Sequence, residues 1–287
     1  MPEGDTLRRL ATKITDRFAG GTVERSVMRD PRIATVDLRG RTLVEADAYG
    51  KHLFVRFDDG RSLHAHLLMT GSFEVGRPSR ESEWRRRVEL WFGDGRLTGV
   101  AVPLLGILAT GDEHTITDRL GPDLCATSGP PDLGEIVDRL RREPAAPLTG
   151  ALLDQRNVAG FGNVYVNDVP FIAGVSPTQP VGTIGGLESL VALGIALIRV
   201  NAARGPQNTT GRQLHTDQRW VHGVGRRPCP VCGIRLGYRD GDQTPWQRSI
   251  TWCPSCQPEI DAAAVDLVRV RRLVALHPAM KEPYAPR

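Results

Sequence analysis

The sequence predicts an α+β protein: an N-terminal β-sandwich flanked by helices, then a C-terminal helical domain carrying a four-cysteine zinc-finger β-hairpin. Three observations predict it. Between residues 35 and 101, short alternating apolar and polar runs are separated by Gly- and Asp-rich turns, the pattern of many short strands sharing one core. From Leu133 onward the apolar period becomes helical. Cys229-Pro-Val-Cys232 and Cys253-Pro-Ser-Cys256 stand twenty residues apart, which supplies four thiolates to one tetrahedral zinc and leaves no coordination position open.

The elements follow in order. Asp5–Phe18 reads as an amphipathic helix through Leu7, Leu10, Ile14 and Phe18, ended by Gly20-Gly21. Thr35–Leu38, Thr42–Ala48 and Leu53–Phe57 read as strands, and Asp58-Asp59-Gly60 turns the chain into Ser62–Leu67. Gly71–Val75, Arg87–Phe92 and Arg96–Ala101 continue the pattern, while Arg77–Arg87 reads as a solvated, arginine-rich loop or edge. Helices are expected over Leu133–Arg142, Leu148–Val158, the Leu187–Ile198 stretch and Asp261–Leu276. The domain expectation is 1–122 for the N-terminal sandwich, 123–131 for a linker and 132–222 for a helical domain. The finger then takes 223–258 and a C-terminal extension 259–287, where a packing helix is the expectation.

Composition narrows the function. The 287 residues suffice for two domains, and no apolar run is long enough to cross a bilayer. The charged, amphipathic start is not a secretory signal, so a cytoplasmic location is expected. Five cysteines in such a chain argue against a disulfide framework, and Cys125 reads as a small buried hydrophobe. Net charge is only +4, but Arg204–Cys256 holds eight arginines, no lysine and three acids. Arginine suits bidentate phosphate contacts, so this end reads as a nucleic-acid surface.

Three further segments carry chemistry. Met1-Pro2-Glu3 permits removal of Met1, which leaves Pro2 as a secondary amine able to attack an aldehyde carbon, with the Glu3 carboxylate beside it to move protons. The bland alternative is a helix start capped by Asp5 or Thr6. Gly160-Phe161-Gly162-Asn163 places glycines where a backbone approaches closely and Asn163 at a helix N-cap, a ready phosphate site or simply a helical corner. Lys51, in Gly50-Lys51-His52-Leu53-Phe54, enters a strand and is either a solvated charge or a basic group near an anion. Between the cysteine pairs, Gln247–Trp252 reads as a hairpin presenting Arg248.

Pro2-Glu3-Gly4, Lys51, Asp154-Gln155…Gly160-Phe-Gly-Asn163 and the cysteine finger containing Arg248 together resemble the formamidopyrimidine-DNA glycosylase/endonuclease VIII family. The likeness spans Pro2 to Gln257 and is most similar to the second endonuclease VIII paralogue of actinobacteria. It implies a helix–two-turn–helix domain and a bifunctional glycosylase/AP lyase of base excision repair acting as a monomer on damaged single- or double-stranded DNA. Pro2 would be the nucleophile, Glu3 the acid/base and Lys51 a catalytic support near the sugar and phosphate. Gly162, Asn163 and Arg248 would hold the phosphates flanking the lesion, and one structural Zn2+ would sit on Cys229, Cys232, Cys253 and Cys256. Met69, with Leu68 beside it, matches the wedge that fills the vacated stack; packing at a strand end is its alternative. Departures are specific. Thr6 stands at a position usually acidic, Trp220-Val-His222 replaces a common Tyr-Gly-Arg, and Gly99–Gly106 replaces the Asp-Pro-Arg-Arg-Phe-Gly loop that probes the opposite base. The last departure points to oxidised pyrimidines, with single-stranded or bubble DNA favoured. The rivals are a non-catalytic damaged-DNA binder on the same fold and a purine-directed glycosylase.

Overall fold

The computed structural model describes residues 2–93, 95–214, 217–275 and 277–280, and the chain divides into two units, Met1–Arg119 and Leu120–Arg287. In the first unit, helix α1 (Gly4–Phe18) buries Leu7, Ala11, Ile14 and Phe18 along one stripe. It packs on two four-stranded antiparallel sheets. One has the order β1 (Arg25–Met28), β6 (Arg86–Phe92), β7 (Gly95–Val100), β5 (Ser72–Val75); the other runs β2 (Leu43–Tyr49), β3 (His52–Phe57), β4 (Arg61–His66), β8 (Leu104–Ala109). Leu53, Val55, Leu63 and Ala65 from the second sheet share a core with Val88, Leu90 and Leu97 from the first and with the α1 stripe. A short helix, α2 (His114–Thr117), follows the sandwich. The Asp58-Asp59-Gly60 hairpin forms as expected, with Gly60 in the left-handed region at φ 76°.

One strand assignment needs correction. Residues 35–38 are not a strand. Their alternation reflects two core anchors, Ile33 and Leu38, on backbone that turns through Ile33 N–H to Asp30 O (3.0 Å) and Val36 N–H to Ile33 O (3.0 Å). Asp30 enforces the turn by accepting from the Arg32 backbone and guanidinium. The strand lies earlier, at β1, whose own pattern is weak because it is an edge set by its register against β6.

The second unit is helical around its own core. Asp132 caps α3 (Leu133–Arg141) by accepting from Glu135 N–H at 3.1 Å. α4 (Leu148–Leu153) stops five residues before the expected end, since Asp154 turns back onto the Arg156 backbone and guanidinium. α5 (Asn163–Ala173) is buried along its whole length, and α6 (Leu187–Arg204) runs longer than its apolar stripe suggested. Phe161 fits against Gly194 of α6 so closely that a Cβ there would lie 2.4 Å from the ring. Cys125 joins this core as expected. The finger hairpin pairs β10 (Gly237–Arg239) with β11 (Ile250–Trp252).

The extension also differs from expectation. Its first part is a strand, β12 (Ala263–Ala264), parallel to β9 (Ile184–Gly185), and helix α7 spans only Leu267–Val274, capped by Asp266; Leu276 lies outside the described residues. α7 packs on α5 through Arg269, which donates to Phe171 O at 3.1 Å and lies 4.8 Å over the Phe171 ring. No helix among the described residues is long and apolar enough to cross a membrane.

Candidate functional site

In the first unit, Glu3 is the residue before α1. Its backbone is extended, and its carbonyl accepts from Thr6 N–H at 2.9 Å and Leu7 N–H at 3.1 Å. Its side chain makes no cap hydrogen bond, yet it is wholly buried at the helix N-terminus, where backbone dipoles favour negative charge. The carboxylate is therefore not used for capping. Asp5 is not the cap either; it accepts from Thr6 N–H at 2.7 Å and pairs with Arg9 at 3.5 Å. Pro2 is half-buried beside Glu3.

Gly50-Lys51 is the two-residue turn between β2 and β3, closed by the Tyr49–His52 pair, with Gly50 at φ 54°. Lys51 is half-buried. Register then assembles a cluster that sequence reading missed: His52 faces His66, and Phe54 faces His64. His52 Nδ1 and His64 Nε2 are 2.9 Å apart, their rings stack at 5.1 Å, and His66 meets His52 edge-on at 4.9 Å. Burial first, then the neighbouring His66, His64 and Lys51 charges, pushes His52 down to about 3. Burial likewise holds His64 and His66 at about 4. All three are neutral at pH 7. The sequence signal was His64-x-His66 on one strand face, but its meaning needed the register of β3.

His66 Nδ1 accepts from Leu68 N–H at 3.1 Å, so the ring proton sits on Nε2. That bond supports a strained turn. Leu68 adopts φ 46°, uncommon for a branched residue, and Gly71 N–H closes the turn onto Leu67 O at 2.8 Å. A Cβ at Gly71 would approach that oxygen to 2.7 Å. Leu68 and Met69 stand at the tip, 47% and 62% exposed. Packing at a strand end does not describe Met69.

In the second unit, Asn163 is the first residue of α5 and the N-cap is Gly162, a shift of one from the expectation. The shift follows from Gly162's extended backbone (φ −133°, ψ −161°), with Gly160 at φ 121° before it. Gln155 staples this turn, donating to Leu153 O (2.8 Å) and Phe161 O (3.1 Å) and accepting from Gly160 N–H (3.0 Å). The Asn163 amide donates to Ser249 Oγ at 3.4 Å, so α5 and the finger hairpin meet at the residue next to Arg248. Asn167, one turn on, makes the stronger tie: its Oδ1 accepts from Thr251 N–H at 2.7 Å and its amide reaches Asn163 O at 2.7 Å. Sequence reading missed Asn167, although Asn163-x-x-x-Asn167 puts both amides on one helix face. Arg248 itself lies two residues before β11 in the β10–β11 connection, where Thr244 Oγ1 accepts its N–H at 3.1 Å and donates to its carbonyl at 2.8 Å.

The four cysteines form one cluster, all sulfurs within 4.8 Å of one another. Cys232–Cys253 and Cys229–Cys256 Sγ separations are 3.4 and 3.9 Å, near the about 3.8 Å edge of a tetrahedron with metal–sulfur bonds of about 2.3 Å. Val231 and Cys256 N–H groups point at Cys229 and Cys253 sulfurs, 3.4 Å each. Burial pushes Cys256 up to about 12 and Cys253 upward, whereas the Ile234 backbone brings Cys232 down to about 7. Four thiolates this close together, with Cys229 and Cys253 buried, need a compensating cation, and the donor set fits a metal ion.

Residues 1–100 match the formamidopyrimidine-DNA glycosylase N-terminal domain. The chain belongs to the formamidopyrimidine-DNA glycosylase/endonuclease VIII family. Within it, the chain is 39% identical over 265 residues to the "Probable endonuclease 8 2" of Streptomyces coelicolor, covering 90% of this chain and 94% of that one. It is 37% identical over 257 residues to the "DNA-(apurinic or apyrimidinic site) lyase Nei2" of Mycolicibacterium smegmatis, covering 90% and 99%. Its fold matches Lactococcus lactis Fpg in complex with abasic-site DNA, with a TM-score of 0.75 at 20% identity over 90% of this chain and all of that one.

Two predictions follow from this geometry. The three histidines bind protons in the unfolded chain near 6.5 but in the folded chain only near 3–4, so the unfolded state binds more protons in between and stability falls as pH falls. Melting by circular dichroism should lose about 5 °C or more between pH 7 and pH 4.5, and His64→Phe, which keeps the Phe54 stack, should flatten that dependence. Asn167→Leu should leave the buried Thr251 N–H without its acceptor, at a cost of about 1–3 kcal/mol; hydrogen exchange should show the Thr251 amide exchanging at least tenfold faster. Unchanged protection would mean that Asn167 does not hold the finger strand.

Proposed function

We propose that this chain is a bifunctional DNA glycosylase/AP lyase of base excision repair, acting on oxidised pyrimidines with Pro2 as nucleophile. The observation that carries the reading is the buried Glu3 carboxylate, unused as a cap, beside a chain start held by α1. Removal of Met1 exposes the Pro2 amine, which attacks C1′ of the damaged nucleoside as the N-glycosidic bond breaks and the base leaves with a proton. A secondary amine gives a cationic iminium. That charge acidifies the C2′ proton, and its removal drives β-elimination of the 3′ phosphate and then δ-elimination of the 5′ phosphate. Glu3 moves the protons of ring opening and elimination. Lys51, at its turn within electrostatic reach of His52 and His66, supports the reaction near the sugar and phosphate.

The target nucleotide leaves the stack at a cost of a few kcal/mol, which clamps on the flanking phosphates offset. Gly162 backbone, the Asn163 amide and the Arg248 guanidinium are those clamps, and Met69 with Leu68 fills the vacated space. One zinc ion on Cys229, Cys232, Cys253 and Cys256 is structural, since four thiolates complete its coordination. The β7–β8 connection is only Ala101-Val102-Pro103, which favours single-stranded or bubble DNA because no long loop is there to read an opposite base. The enzyme works as a monomer in the cytoplasm on nucleoid DNA.

Borohydride trapping on oligonucleotides with an abasic site or an oxidised pyrimidine, single- and double-stranded, tests this. The parent should form a covalent adduct, Pro2→Gly should form none, and Glu3→Gln should lose at least a hundredfold in nicking. Tight binding without an adduct on any substrate, or Met1 retained in the intact mass, would sink the nucleophile assignment; equal rates on matched duplex would sink the single-strand preference. Elemental analysis should find one zinc per chain, and its removal should unfold the finger and weaken DNA binding at least tenfold. Full affinity without zinc would remove the finger from the clamp.

A further inference from the structure

The arginine-rich run from Arg77 to Arg87 has no part in the site described above. It holds five arginines, two glutamates and Trp84. The backbone around the tryptophan is tied down. Glu83–Arg85 forms a 3-10 turn, Arg85 N–H donates to Ser82 O at 3.0 Å, and Arg85 O accepts from Ala101 N–H at 2.7 Å. Arg29 of the loop after β1 holds Glu83 at 2.7 Å. On this fixed turn the indole is 72% exposed. A lone exposed hydrophobic side chain needs no explanation, but its surroundings do.

Both glutamates are neutralised, Glu83 by Arg29 and Glu81 by Arg85 at 3.1 Å. Arg77 and Arg80 are exposed and make no ion pair among the described residues. The outer face of the neighbouring sheet continues the charge. One buried carboxylate, Glu89, collects Arg29 (2.5 Å), Arg86 (3.0 Å) and Arg96 (3.0 Å), and Trp91 lies between Arg25 at 4.6 Å and Arg96 at 5.3 Å. With Arg29 shared between Glu83 and Glu89, the four guanidiniums of Arg25, Arg29, Arg86 and Arg96 outnumber Glu74, Glu83 and Glu89 by one on this face, and the pairing holds them in place. The result is a fixed cationic face with an aromatic ring projecting at its edge.

We propose that this face is a second nucleic-acid contact, a platform for an unpaired stretch of DNA on which Trp84 stacks with a base while Arg77 and Arg80 meet phosphates. Positive charge alone would suit any polyanion, but a water-exposed indole on a fixed turn suits a π-face, and an unpaired strand offers one at every base alongside its phosphates. An acidic protein segment uses the charges and leaves the indole idle. The choice of DNA as occupant rests on the proposed function.

The test uses the full chain and two probes: a fluorescein-labelled single-stranded 12-mer and a short blunt duplex with an abasic site. Trp84→Ala should weaken 12-mer binding about tenfold, and Trp84→Phe should restore it to within about threefold, since phenylalanine also stacks. The Arg77→Ser/Arg80→Ser variant should lower the slope of log affinity against log salt by about 1.4, roughly 0.7 per single-strand phosphate contact. All variants should keep the parent melting temperature and nick the blunt duplex at parental rates. Parental 12-mer affinity in Trp84→Ala would overturn the proposal, as would equal loss in the alanine and phenylalanine variants. Trp84-dependent binding by a parent that forms no trapped adduct would refute the enzyme reading and leave this platform standing; an adduct-forming parent indifferent to Trp84 would do the reverse.

Discussion

A terminal amine is a usable nucleophile only where the first residues are fixed, and termini are where order is usually lost. Here the helix after the terminus supplies that order. Leu7, Ala11, Ile14 and Phe18 are buried in the sandwich core, and each of the larger three contributes about 1.5–3 kcal/mol. Thr15 adds direction: its hydroxyl donates to Ala46 O at 3.1 Å and accepts from Ala46 N–H at 2.8 Å, tying α1 to β2. Arg8 bonds Asp47 and the Ala48 carbonyl from the same side. Glu3 is buried because the helix that begins next to it is anchored, and α1 is anchored because its stripe matches the helical period. The candidate chemistry of the first two residues thus depends on packing as far along as Phe18.

The second unit solves a comparable problem with polar groups. A finger hairpin is too small to hold its own core, and its β11 strand is pinned by the Asn167 side chain as well as by the cysteine cluster. Asn167 and Asn163 divide the work. The first bonds backbone in the finger strand, whereas the Asn163 side chain, one turn earlier, makes two long contacts, donating to Ser249 Oγ and accepting from the Asn167 amide at 3.4 Å each. An amide so lightly engaged at the start of α5, where helix N–H groups lack internal partners, is free to turn toward an anion without dismantling the finger. Gln155 keeps the preceding glycine turn in shape by bonding its backbone twice, at Gly160 and Phe161, and by tying it to the end of α4 at Leu153 O, so the close approach allowed by Gly160 and Gly162 does not cost order.

What could be read from the sequence was what is local. The β3–β4 hairpin was legible because alternation and Asp-Asp-Gly both act within a few residues, and the cysteine cluster because knuckle spacing is itself geometry. β1 was missed because an edge strand with one buried residue is defined by the partner it pairs with. Residues 35–38 imitated a strand because Asp30 side-chain bonds competed with the ladder. The tail looked like one helix, but pairing of Ala263-Ala264 with Ile184-Gly185, some eighty residues away, claimed its first part. The same limit hid the histidines. Each alone reads as an ordinary core residue, and only the register of β3 against β4 makes them a cluster beside Lys51. The catalytic candidates were legible as residue types; the groups that position them were not.

The His66–Leu68 bond shows why the positioning groups matter. Left-handed backbone at a branched residue costs on the order of 1–3 kcal/mol, and a loop relieves such strain unless something opposes it. Here the opposing group is an imidazole whose burial keeps it neutral; a protonated ring would carry hydrogen on both nitrogens and have no acceptor to offer Leu68. Neutrality of His66 is therefore a condition for the turn that exposes Leu68 and Met69. On the proposed reading, that turn is what fills the vacated stack, and among the described residues the β7–β8 connection is too short to add a second probe. The discrimination between paired and unpaired substrate then falls to groups that touch one strand: the wedge, the phosphate clamps and the Trp84 face. An enzyme built from one-strand contacts gains nothing from a complementary strand, and it avoids the cost of unpairing when none is present.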